Sequence, residues 1–175
     1  MGYRTIHYSK CGEYKKMLNL KGSPLILTFG LLSQNKGIES LLKVLPEVIN
    51  QYPDLVYLIL GATHPMIKKI SGEAYRQYLK SIVSELEIEN NVVFHDKFVE
   101  KEELCNYILA SDIYASLYLS REQIVSGTLT YAIGMGKAID STPYWYAEEM
   151  LSDNCGLLVD FGDVNGFKKI YLILN

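Results

Sequence analysis

Two stretches of the chain combine residue types that can hold an anion. The first is Gly30-Leu-Leu-Ser-Gln-Asn-Lys36-Gly37, a glycine turn with a lysine where a helix is expected to begin. A cation there opposes the helix macrodipole unless an anion lies between them. The second is Ser126-Gly127-Thr128-Leu129, which leads an apolar run towards Gly134 and Gly136. Ser126 suits an N-cap, Gly127 permits close backbone approach by a ligand, and the first turn holds no Asp or Glu. The free N–H groups of Thr128 and Leu129 would then face a phosphate. Each feature also has a plainer reading. Lys36 can be a solvated side chain whose stem points away, and Gly127 can belong to a capped helix in which it aids packing. Two helix starts converging on one crevice, one carrying a lysine, favour a diphosphate.

The elements that must position these residues alternate from Ser23 onward. Leu25–Phe29 is a β-rich run ending at Gly30, and Leu55–Leu60 is an apolar run ending at Gly61. Between them Ile38, Leu41, Leu42, Leu45, Val48 and Ile49 recur at helical spacing over about residues 37–51. A helix bearing Tyr75, Leu79, Ile82, Val83 and Leu86 precedes a strand at 92–94, and a helix over about 101–110 precedes one at 113–117. After the helix at Ser126 come Ala138-Ile139, Gly156–Val159 and a last helix from about 163 to the end. Strands without inside–outside alternation, each followed by a helix, predict a Rossmann-like, doubly wound α/β fold. Its sheet is six-stranded and mostly parallel, with helices on both faces. Ligands of such sheets sit at the carboxyl ends of the strands, here the loops 30–37, 61–65, 95–98, 118–128 and 141–145.

Residues 1–22 lie outside that alternation. They are expected to be residual interdomain linker with a short helical piece from Tyr14 to Leu20, leaving 23–175 as the domain. The linker and the abrupt stop at Asn175 predict a piece of a longer protein.

The bulk numbers remove several function classes. Hydrophobic residues at 49% and charged residues at 21% are ordinary for a soluble globular domain. A formal charge of −3 argues against nucleic acid or an anionic membrane as partner. No apolar run approaches the ~20 residues of a membrane span, and the N-terminus lacks a signal-peptide pattern. Cys11, Cys105 and Cys155 are widely spaced and odd in number, which predicts reduced thiols in a cytoplasmic protein. His64 and His95 lie at strand ends without a ligand set around them, so no metal is expected. Gly-x-Ser-x-Gly, Gly-x-Gly-x-x-Gly after the first strand, and the Walker A sequence are all missing. Gly134-Met-Gly136 reads as a helix stop and tight turn, and Glu148 and Glu149 as helix acids behind Tyr144-Trp145-Tyr146.

Over about residues 18–163 the chain resembles the C-terminal, donor-binding half of the retaining glycosyltransferases of family 4, which have the GT-B architecture. The segments that carry the resemblance are Leu27–Gly30 with Lys36-Gly37, Leu60-Gly61, Val93-Phe94 with Phe98-Val99, Ala110-Ser-Asp112, Thr130–Ala132 with Gly136-Lys137, and Gly156–Val159. Glu122–Leu129 and Ser141–Glu149 look like those of a bacterial subgroup of that family.

The resemblance implies transfer of a sugar from a nucleotide-diphosphate donor with retention of anomeric configuration, and no cofactor. It implies a diphosphate site of Gly30, Lys36, Ser126, Gly127, Thr128 and Leu129, with His95, Phe98, Val99 and Tyr131 near the nucleobase and ribose. It also implies an acceptor, a glycan or lipid-linked sugar, bound by an N-terminal domain absent from this chain. Three positions depart from the family. Leu31 stands where the family has an arginine, and Gln123 and Tyr131 stand where it has two glutamates. Gln123, or Glu122 if the loop shifts by one, would then meet the donor sugar beside Lys36 as the catalytic group. Two alternatives stay open. One is a non-catalytic nucleotide- or phosphosugar-binding module of the same fold; the other is a doubly wound domain for a different phosphorylated ligand.

Overall fold

Leu25–Phe29 (β1) and Val56–Leu60 (β2) are buried at every position, as strands covered on both faces must be. They form the middle of one parallel sheet with Val92–His95 (β3), Ile113–Ser116 (β4), Ala138–Ser141 (β5) and Leu157–Leu158 (β6), in the order β3-β2-β1-β4-β5-β6. The computed structural model describes residues 11–152 and 155–172. The helices are Cys11–Met17 (α1), Ile38–Gln51 (α2), Pro65–Ser71 (α3), Ala74–Glu85 (α4), Lys101–Ala110 (α5), Gly127–Gly134 (α6), Trp145–Met150 (α7) and Val164–Leu172 (α8). The fold class expected from the sequence is therefore the one observed.

Two apolar clusters lie on opposite faces of the sheet. One gathers Ile26, Leu41, Leu45, Tyr57, Ile59 and Phe167, and the other Leu25, Leu27, Leu58, Ile108, Leu129 and Tyr144. Alternate residues of β1 and β2 feed opposite clusters, so every position but the polar Thr28 is apolar without being redundant. Asp112 fastens the amino edge: its Oδ2 accepts from Leu25 N at 2.6 Å and from Lys15 Nζ at 2.6 Å.

Several boundaries differ from the sequence reading. The short helical piece expected at Tyr14–Leu20 is α1, from Cys11 to Met17. It stops because Asn19 turns left-handed (φ 52°), while Asn19 N donates to Lys16 O and Leu20 N to Lys15 O. α1 packs on α5, and Cys11 Sγ donates to Ala110 O at 2.9 Å. The part of the linker at residues 1–10 lies outside the described residues, as do 173–175 of the last helix. α3 was not anticipated; none of its side chains is buried, so it shows no apolar stripe, although Pro65 and the His64 cap start it. The lysine turn is a separate 3-10 turn at Gln34–Lys36, and α2 begins only beyond Gly37 (φ 60°, ψ 25°).

Beneath β5 the Asp140 carboxyl is 1% exposed; its Oδ2 accepts from Tyr171 at 2.6 Å, and Oδ1 has no partner among the described residues. Burial pushes its pKa up to about 7, against the opposing Tyr171 hydrogen bond. A raised carboxyl stabilises the fold most below its unfolded value and loses that contribution as pH rises towards 7. The wild type should therefore lose about 2 kcal/mol of stability between roughly pH 5 and pH 7 relative to Asp140→Asn. Urea titrations of both proteins across that range check this.

Candidate functional site

Gly30, Lys36 and Thr128 come together at the carboxyl end of β1. Gly30 has φ 111°, and a Cβ built on it would lie 3.0 Å from Thr128 Cγ2 and 3.1 Å from Lys36 Nζ. Lys36 does not point into solvent, which removes the plainer reading of that residue. It is 8% exposed, and Nζ donates to Phe29 O at 3.3 Å and to Tyr118 Oη at 3.0 Å, with the Tyr118 ring centroid 4.8 Å away. Among the described residues no carboxylate pairs with it. A buried ammonium with only neutral oxygens beside it has the electrostatic need of an anion. The lysine comes from the 3-10 turn and not from the first turn of α2, so only one helix N-terminus, that of α6, meets it here.

At α6, Ser126 is the N-cap and its Oγ accepts from Leu129 N at 3.2 Å. The Leu129 N–H is therefore committed to the cap, contrary to its expected freedom. Among the described residues the N–H groups of Gly127 and Thr128 have no acceptor. Gly127 has open space where a Cβ would be. Packing does not call for a glycine there, whereas a ligand lying on the backbone does. Ser126→Ala should cost about 1 kcal/mol by removing the cap, read as a fall in melting temperature.

Tyr118, which the sequence places in a strand-end loop without a role, joins the two halves. Burial works to raise its phenol, but the Lys36 ammonium and hydrogen bonds from Lys36, Ser126 and Thr128 outweigh that and lower its pKa. Ser126 Oγ and Thr128 Oγ1 are themselves 3.1 Å apart.

A cavity of about 300 Å³ opens beside this cluster, walled by Gly30, Leu31, Phe98, Val99 and Tyr131 together with Gly61. Phe98 is 74% exposed and forms its outer lip. His95 is not in that wall. Its Nδ1 pairs with Tyr107 Oη at 3.2 Å, its backbone carbonyl accepts from Gly61 N, and burial followed by the Lys97 charge lowers its pKa. Lys97 and Lys101 line the cavity instead, two cations the sequence reading did not single out.

Gln123 stands beside the lysine turn rather than in the cavity. Its Nε2 donates to Val125 O at 2.7 Å, and its Oε1 accepts from Asn35 Nδ2 at 3.4 Å. Glu122 is exposed. Among the described residues no group of three His, Cys, Asp or Glu could hold a metal ion, and no helix is long and apolar enough to cross a membrane.

Comparison with known proteins identifies the fold and the family. Residues 12–170 match the family described as glycosyl transferases group 1. The spore coat protein SA of Bacillus subtilis is 26% identical over 102 residues, covering 58% of this chain and 26% of that protein. The chain spans about a quarter of the length of the curated relatives it matches. Among solved structures, the C-terminal domain of a glycosyl transferase group 1 family protein (LpcC) from Francisella tularensis superposes with TM-score 0.76 at 18% identity, covering 93% of this chain and 80% of that one. Anabaena HepE, in complex with UDP-glucose, gives TM-score 0.78 at 19% identity, covering 94% of this chain and 42% of that one. The fold is that of one half of a GT-B glycosyltransferase. With nearly its whole described length matched, the chain belongs to the glycosyl transferases group 1 family.

Proposed function

We propose that this chain is the donor-binding domain of a family 4 glycosyltransferase that transfers a sugar from a nucleotide-diphosphate sugar with retention of configuration. The observation that carries the reading is the buried Lys36, unpaired by any carboxylate among the described residues, close to the start of α6, where the N–H groups of Gly127 and Thr128 have no acceptor among the described residues. The complex of HepE with UDP-glucose supports a nucleotide sugar as the ligand. As the bond from the anomeric carbon to the β-phosphate oxygen breaks, the electron pair leaves with the nucleoside diphosphate. Negative charge then builds where the lysine and the helix N–H groups are already aimed. Such stabilisation requires no metal.

In this reading the nucleoside occupies the cavity against Phe98, Val99 and Tyr131. Gln123, with Glu122 next to it, meets the sugar once it releases Val125. The acceptor, a glycan or lipid-linked sugar, docks on a further domain outside this chain, and the reaction takes place in the cytoplasm. The isolated chain accordingly binds nucleoside diphosphate weakly and turns nothing over.

A second reading, a non-catalytic module of the same fold, is favoured by Leu31 in the cavity wall and by Gln123 and Tyr131, none of which supplies a charge. Calorimetric titration with UDP, GDP, ADP and glucose 1-phosphate tests the site. Binding of one nucleoside diphosphate supports the proposal, and binding of the phosphosugar alone overturns it. Nucleotide binding without transfer by the longer protein selects the non-catalytic module.

A further inference from the structure

Arg76 is the one buried arginine in the described core, and the reaction outlined above gives it no part. It lies on α4, where an amphipathic helix otherwise turns Tyr75, Leu79 and Val83 inward, and it is 4% exposed. Its guanidinium reaches two loops at once. Nη2 donates to Gly61 O at 2.9 Å and Thr63 Oγ1 at 3.4 Å in the β2–α3 loop, and to Asp96 Oδ1 at 2.7 Å in the β3–α5 loop. Nε donates to Glu73 Oε2 at 3.2 Å, and the same carboxylate accepts from Thr63 Oγ1. Nη1 is buried with no acceptor among the described residues. The group is thus placed to span the loops at the expense of one unsatisfied nitrogen.

Burying a guanidinium between carboxylates is a poor way to gain stability, since apolar residues of similar volume do as well or better. What the pair supplies is a fixed geometry. Gly61 is gripped from both sides, its N–H by His95 O at 3.0 Å and its carbonyl by Arg76. Gly61 and Ala62 form one wall of the cavity, and Lys97, Phe98 and Val99, which directly follow Asp96, form the other. Among the described residues no other side-chain bond reaches both loops.

We propose that Arg76 is a positioning residue that locks the β2–α3 and β3–α5 loops together and thereby sets the width of the nucleoside slot. It rests on the nucleotide reading of the cavity and adds a residue that touches no ligand. The diphosphate end is held separately, by the Ser126 cap and by the bonds of Lys36 to Phe29 and Tyr118. Loss of the lock should therefore loosen the grip on the nucleoside and leave the grip on phosphate alone.

The test compares the 175-residue chain with its Arg76→Lys and Asp96→Asn variants, titrating UDP, GDP, ADP and inorganic pyrophosphate by calorimetry. Arg76→Lys keeps the charge and loses the fork that serves two loops. For the preferred nucleoside diphosphate, binding should weaken about tenfold in both variants, with pyrophosphate changed less than about twofold. Preference among the bases should flatten as well. An unchanged ratio of nucleoside diphosphate to pyrophosphate affinity, whether both fall together or neither does, overturns the lock. If Arg76→Lys does not fold, Asp96→Asn decides by the same ratio, because that carboxylate is half exposed and its loss is tolerable. A wild-type chain that binds pyrophosphate but no nucleoside diphosphate removes the nucleotide reading, and the lock with it. A wild type that binds nucleotide while the variants keep its ratio removes the lock alone.

Discussion

Replacing Lys36 by alanine is expected to weaken nucleoside-diphosphate binding about 100-fold, the scale of a charge-assisted hydrogen bond lost in a water-poor site. The ammonium is buried with neutral oxygens for company, so little of its attraction to an anion is screened or already satisfied. The variant also strips the Phe29 carbonyl and the Tyr118 hydroxyl of a partner, so it should melt earlier. Lys36→Arg separates the two effects. It restores the positive charge, and with it most of the stability, but a planar fork cannot place a single donor at the junction of Phe29, Tyr118 and the ligand. If calorimetry finds Lys36→Ala and the wild type binding nucleoside diphosphate equally well, the diphosphate is not at this cluster.

The largest expected effect on stability is that of Gly61→Ala. Gly61 has φ 153°, a region that side chains other than glycine rarely enter, and an added Cβ would lie 2.0 Å from Gly30 O. Neither atom can yield cheaply. Gly30 N is tied to Leu60 O at 3.0 Å, and Gly61 N to His95 O at 3.0 Å, so relief requires parting β1 from β2 at their carboxyl ends. A loss of more than about 4 kcal/mol follows, enough to leave much of the chain unfolded. Circular dichroism of the purified variant checks it: a cooperative melt within a few degrees of the wild type contradicts the contact. By contrast, Gly127 has open space, and an alanine there should fold normally while binding nucleotide less well.

The sheet was legible in the sequence because strands buried on both faces carry nearly continuous apolar runs, as β1 and β2 do with Thr28 the one polar residue. The strand-end loops then pointed to Gly30, Lys36, Ser126, Gly127 and Thr128, and the structure brings Gly30, Lys36 and Thr128 to one place. What stayed hidden depends on contacts between distant residues. Nothing local marks Arg76 as buried, since an arginine inside an amphipathic helix reads as a solvent-facing residue. The Leu129 N–H was expected to be free because capping and ligand binding draw on the same donors, and only geometry divides them. His95 sits at the right strand end but turns to Tyr107, a partner supplied by the following helix.

The pairing of β1 with β4 holds only two register pairs, Ile26 with Ile113 and Leu27 with Tyr114, whereas β1 and β2 share five. Beyond Leu27 a side chain takes over from the backbone ladder, Thr28 Oγ1 donating to Ala115 O at 2.9 Å. The lysine turn follows β1 and α6 follows β4, so the two stand on opposite sides of this seam. A diphosphate held by Lys36 on one side and by Gly127 and Thr128 on the other would act as a clasp across a seam of only two register pairs. Occupancy of the site and cohesion between the two halves of the domain are then one and the same property.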